Sequence, residues 1–204
     1  YNGKISSCQL YNRVLSDSEI LQNYYATLNS RMIVTDGLVL NLQAGNPSSF
    51  TSGTTTWYDV SGNNYNGTLT NGPTFNSSNG GSIVFDGVDD YASCSDGANR
   101  FGTPSSGNSM TFVVTFKTYE TTQVNGNIFL LGGCAVGHCY SYQMLRSTSQ
   151  AVGTRRFNLP AYSSGSGSVD NGLDIIFPVS TTDWNIVQLS LSSSGGYILT
   201  LNGN

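Results

Sequence analysis

Apolar and polar residues alternate along most of this chain in short runs, the two-residue period of strands with one buried face. Residues 38–44 (LVLNLQA), 82–85, 91–94, 110–118 (MTFVVTFKT), 127–131, 142–146, 156–159, 173–177, 184–191 and 197–201 read as strands, with a further short one around Leu69. Turn formers separate them: a Pro/Ser/Gly/Thr loop over 45–56, Asn66-Gly67, Asn71-Gly72-Pro73 and a Ser/Gly loop over 163–168. The DGVDD turn at 86–90 is expected to close a hairpin between its flanking strands. Strands about ten residues apart with Gly-rich turns indicate a sandwich or jelly roll.

The first segment behaves differently. Residues 1–15 (YNGKISSCQLYNRVL) alternate only in part, and Ile5, Leu10, Tyr11 and Val14 make it a strand. Ser16 with Glu19 three residues later forms a capping-box signature. Ile20, Leu21, Tyr24 and Tyr25 then recur at helical spacing, so a helix is predicted to run to about Leu28. A connector follows to Asp36. One helix among so many strands excludes a parallel βαβ architecture.

Composition narrows the class. The 204 residues suffice for one large all-β domain. Charged residues make up only 10%, against roughly 25% in ordinary soluble domains. Polarity comes instead from Ser, Thr, Asn and 24 Gly, which suits an extracellular sandwich. The 38% hydrophobic content, with 12 Tyr and 9 Phe, supplies a core and argues against disorder. A net charge of −4 and a single basic doublet, Arg155-Arg156, exclude nucleic acid and anionic membranes as partners. No apolar run approaches the roughly 20 residues of a bilayer span. No signal peptide is visible, and a first residue of Tyr is expected of a processed product or part of a longer chain.

The cysteines are Cys8, Cys94, Cys134 and Cys139, an even number that permits two disulfides. Cys134-Ala-Val-Gly-His-Cys139 reads as a local disulfide, two free thiols or a metal clip with His138. The metal reading needs a distant fourth ligand, because His138 is the only histidine.

Three stretches carry a family resemblance: Gly37–Ala44 (GLVLNLQA), Trp57–Thr68 (WYDVSGNNYNGT) and Phe85–Tyr91 (FDGVDDY). Together they resemble the opening of laminin-G-like modules of bacteriophage structural and bacterial surface proteins. The resemblance implies a concanavalin-A-like jelly-roll sandwich of two antiparallel sheets with one short helix near the N-terminus. The family's usual Asp in the first strand is Gln43 here, which weakens a ligand role at that point. The family closes with a strand and short helix similar to YNGKISSCQLYNRVLSDSEILQNY, which this chain carries at residues 1–24.

The resemblance is therefore permuted, and divides the chain at 1–31 and 36–204, the latter lacking its own closing strand. Three readings stay open: donation of the first segment to a neighbouring copy, the end of a preceding tandem module, or a circular permutation folding in cis. In each, Ile5, Cys8, Leu10, Tyr11 and Val14 belong to an assembly strand beside the opening or DDY strands. The resemblance also brings Cys8 near Cys94, so two readings stay open there: a Cys8–Cys94 disulfide, or two buried free thiols acting as small hydrophobes.

Some concanavalin-A-like folds are glycosidases, which normally need two carboxylates about 5 to 10 Å apart. This chain has only Glu19 and Glu120, no E-x-D-x-E pattern and no G-x-S-x-G elbow, so no enzymatic activity is expected. Relatives often bind calcium at a sandwich rim, and Asp59, Asp86, Asp89 and Asp90 are the oxygen donors for such a site. The competing reading is turn chemistry, since Asp and Asn hold turns through their own side chains. Glycan binding is the family's common activity. Tyr65, Asn63, Tyr140 and Tyr142 are its candidates here, while Trp57 and Trp184 are expected in the core. Asn66-Gly67-Thr68 and Asn76-Ser77-Ser78 match the N-glycosylation pattern and are assigned no function. The expectation is a structural or adhesive module of a filament or virion, joining copies of itself or tandem modules. The alternative is a carbohydrate-binding module, calcium-assisted, of a larger surface protein.

Overall fold

The computed structural model describes residues 1–29, 32–94, 109–119, 127–135, 138–147, 154–158, 174–193 and 197–203. Side chains are described outside 27–29 and, within 127–177, only for Ile128. In chain order the elements are β1 (Asn2–Tyr11), α1 (Asp17–Asn29), β2 (Leu38–Gln43), β3 (Thr56–Trp57), β4 (Gly67–Thr70) and β5 (Thr74–Asn76). A 3-10 turn (Ser78–Gly80), β6 (Ser82–Asp86), β7 (Tyr91–Cys94) and β8 (Met110–Thr118) follow. The chain continues through β9 (Asn127–Ala135), β10 (His138–Ser147), β11 (Thr154–Asn158), β12 (Asp174–Pro178), β13 (Asn185–Leu191) and β14 (Tyr197–Leu201). The protein is all-β: among the described residues every strand pairs antiparallel and there is one α-helix.

A seven-stranded sheet runs β14-β13-β8-β1-β6-β5, with β2 also paired to β1. Where one opposing sheet is expected, the described residues form two ladders, β3-β4-β7 and β12-β11-β10-β9. Both contribute to one core. Trp57 and Leu69, together with Ile128 and Val179, pack against Leu10, Phe112, Val114, Phe116, Val187 and Leu189 of the large sheet.

β1 sits in the middle of this sheet. It pairs with β8 from Gly3 to Tyr11 on one edge. On the other edge Asn2–Ile5 pair with β6 and Ser7–Tyr11 with β2. The hand-over falls at a bulge between Ile5 and Ser7. There the Ser6 carbonyl accepts from Ala44 N (2.9 Å) and its hydroxyl donates to Gly81 O (3.0 Å). The bulge absorbs one residue, so Ile5 and Cys8, three apart, both face the core.

The DGVDD segment does not close the expected hairpin. β6 pairs with β1 on one edge and β5 on the other, leaving no edge for β7. β7 instead pairs with β4 in the three-stranded ladder. The segment is thus a corner that carries the chain from one sheet to another.

Across the outer face of the large sheet lies α1. Its Ile20, with half-buried Tyr24, packs on Tyr11, Leu15, Val113 and Ile186. The Glu19 carboxylate accepts from Ser16 N (2.9 Å), the reach-back half of the capping box. Arg13 ties three segments together, contacting Glu19 at the helix start and Asp36 in the connector. The Arg13 guanidinium, then the Ser16 amide, holds the Glu19 carboxyl down at about 2. A buried ring closes the path back to β2. Tyr11 Oη donates to Val34 O (3.0 Å), Asn23 Nδ2 donates to Tyr11 Oη (3.1 Å), and Val34 N donates to Asn23 Oδ1 (2.9 Å). Burial pushes the Tyr11 phenol up to about 12.

Candidate functional site

The sequence assigns Asp59, Asp86, Asp89 and Asp90 to one candidate calcium site, and the structure divides them between two turns, with Asp59 outside the cluster. The first, after β3, is organised by Asp59, which is buried. Its Oδ1 accepts from Asn41 N (2.8 Å) and Ser61 N (2.9 Å). Its Oδ2 accepts from Ser61 Oγ (2.8 Å) and Tyr65 N (3.0 Å). Asn66 Oδ1 in turn accepts from Asp59 N (2.9 Å). Both carboxylate oxygens are therefore committed to holding the turn on β2. The Ser61 bond to Asp59 Oδ1, two residues back, is an Asx turn, and Asn64 takes a positive φ of 61° within the loop.

The glycan candidates of this turn are similarly engaged. The exposed Asn63 donates through Nδ2 to Val39 O (2.9 Å), Leu38 O (3.3 Å) and Ser61 Oγ (3.1 Å). Tyr65 is half-buried and packs against the inner core. Trp57 is buried, as the sequence suggests, whereas Trp184 lies half-buried just before β13. The side chains of Tyr140 and Tyr142 lie outside the described residues.

The second turn is the corner after β6. Ligand oxygens of Asp86, Asp89 and Asp90 all lie within 4.8 Å of one another, and Asp59 is not among them. Two of these carboxylates also hold the bend. Asp90 Oδ2 accepts from Asp86 N (3.0 Å), and Asp86 Oδ1 accepts from Val88 N (2.8 Å). Asn71 Nδ2 donates to Asp89 O (2.9 Å) and fixes the corner to the β4–β5 turn. Asp86 and Asp89 are exposed, and Val88 and Tyr91 project beside them into solvent. Three hard oxygens on an exposed corner have the chemistry for a divalent cation, with the remaining ligands to come from water or a partner.

Of the assembly-strand candidates, Ile5, Cys8 and Leu10 face the inner core, and Tyr11 faces α1. Val14 is half-buried beyond the end of β1. Leu15, which the sequence does not single out, is 1% exposed and packs under α1. Its amide donates to Thr111 Oγ1 (3.1 Å).

Cys8 and Cys94 are both free thiols. Cys8 is buried in the inner core, and Cys94 packs against the same cluster from β7. Burial, and then the neighbouring Cys94, push the Cys8 thiol well above its ordinary range. Burial, and then Asp59, push Cys94 up to about 11. Cys134 and Cys139 lie directly opposite one another on β9 and β10, and their side chains lie outside the described residues, as does that of His138. Among the described residues, no helix is long and apolar enough to cross a membrane. No protein-family model, curated protein or solved structure matches the chain.

Proposed function

We propose that this chain is a non-enzymatic structural or adhesive module of jelly-roll type, built into an extracellular filament or virion. In this reading β1 is the completing strand through which copies join head-to-tail. The observation that carries it is the position of β1, which within this one chain is paired along both edges, by β8 on one side and by β2 and β6 on the other. A strand in that position contributes both ladder hydrogen bonds and core side chains. Filling it from a neighbouring copy would join two molecules through their interiors. The laminin-G-like motifs add support from the sequence. So does the character of the acidic corner, whose carboxylates hold turn amides on an exposed bend.

Light scattering and electron microscopy of the full chain over a range of concentrations test this reading. Oligomers or filaments that grow with concentration are expected. A monomer at every concentration would sink it. The carbohydrate-binding alternative has one observation in its favour, the exposed Tyr91 beside the three clustered carboxylates. A glycan array with and without calcium tests it, and no binding in either condition rules it out.

A further inference from the structure

We propose that Cys8 and Cys94 form a disulfide that ties β1 to the opposite layer of the fold. It deepens the reading of β1 as the joining strand and supplies its covalent lock. Cys8 is on β1 of the seven-stranded sheet, paired opposite Val114 and Leu42. Cys94 is the last residue of β7, in the three-stranded ladder opposite Gly67. Both thiols are free: Cys8 is buried in the inner core cluster, and Cys94 packs against that same cluster from β7. At Gly67 an added Cβ would lie 3.4 Å from Cys94 Sγ, so the half-buried sulfur sits over the Gly67 backbone across the ladder. Cys134 and Cys139 are each other's cross-strand neighbours on β9 and β10.

The chemistry is thiol–disulfide exchange with a small-molecule disulfide as oxidant. One thiol loses its proton and attacks a sulfur of the oxidant, releasing one small thiol. The second protein thiol then displaces the other half as a second small thiol. Two electrons and two protons leave the protein, and one S–S bond forms. Only thiolates attack, and both thiols are pushed upward in the seated state. Because Cys8 travels with β1 and Cys94 stays with β7, the bond records which copy supplied the strand.

The test uses the full chain, refolded with oxidised glutathione, alkylated in denaturant and digested with trypsin without reduction. Cleavage puts Cys8 on peptide 5–13, Cys94 on peptide 32–100 and the other two cysteines on peptide 118–146. The expected product is 5–13 bonded to 32–100, lost on reduction and absent in Cys94→Ser. The oxidised chain should also show a higher Tm, which reductant reverses and Cys94→Ser lacks. Recovery of either cysteine alkylated, or bonded to 118–146, overturns the proposal. A non-reducing gel separates this outcome from the assembly reading. The linked pair within a monomer band supports the disulfide and counts against exchange between copies, whereas a ladder of multimers supports both.

Discussion

The two faces of the seven-stranded sheet are both covered, but different physics holds each. The inner face is a continuous apolar surface: Leu10, Phe112, Val114, Phe116, Val187 and Leu189 are all nearly inaccessible. The outer face, under and beside α1, is mixed. Tyr11, Val113 and Ile186 make an apolar seat for the helix, while Ser7, Gln9, Asn41, Thr111, Thr115, Gln188 and Ser190 are buried polar groups on the same side. One row across four strands reads Asn41, Gln9, Val113, Gln188. Apolar burial is non-directional, so the inner face sets stability without fixing the path of the chain. Buried polar groups need partners in defined geometry, so the outer face specifies where α1 and the connector run.

Perturbing the inner face should have the largest effect. Phe116→Ala empties a fully buried site and is expected to cost about 3–5 kcal/mol, read from denaturant unfolding. That is a large share of the roughly 5–15 kcal/mol a domain has. An outer-face loss should be smaller but directional. Tyr11→Phe breaks the ring with Asn23 and Val34 and should cost about 1–3 kcal/mol. The same variant carries a pH signature. A phenol held at about 12 when folded contributes stability in full below its ordinary value near 10. That stability falls as pH rises from about 10 towards 12, and Tyr11→Phe should abolish this part of the alkaline dependence.

Acid acts on the entrance to α1. Glu19, held at about 2 when folded, contributes stability above its ordinary value near 4.3. That contribution is lost as pH falls from about 4.3 to 2. Glu19→Gln should flatten this window and, as a partly exposed pair, cost less than about 1 kcal/mol at neutral pH. The smallest change should have the opposite sign. Among the described residues Gln188 Nε2 is buried without a partner, so Gln188→Met should leave stability unchanged or raise it by up to about 1 kcal/mol. A marked loss instead would mean that the amide has a role in specifying the outer face.

The strands were legible where local pattern and pairing agree. β7, β8 and β14 have the bounds that alternation gives, and the helix begins within one residue of its capping signature. β3 and β5 are two and three residues long, too short to carry a period. Ile5 and Cys8 look out of phase because the bulge that realigns them depends on β8, about a hundred residues away. The D-G signal at 86–87 correctly marks a turn. It cannot say that β1 and β5 already occupy both edges of β6, a fact of long-range pairing. The same limit applies to the acidic residues. Their number and spacing are visible in the sequence, but whether an oxygen is free or already holds a backbone amide, as in Asp59, depends on the folded turn.

The central place of β1 also has a consequence in time. β2 follows it closely, yet β8 begins only at Met110. At roughly 5–20 residues per second, a ribosome takes about 5–20 s to make the intervening hundred residues. Through that interval one edge of β1 is a row of unpaired amides and carbonyls on a nascent chain. The strand that ends as the most enclosed in the sheet is thus, during synthesis, the one longest open to capture by another copy.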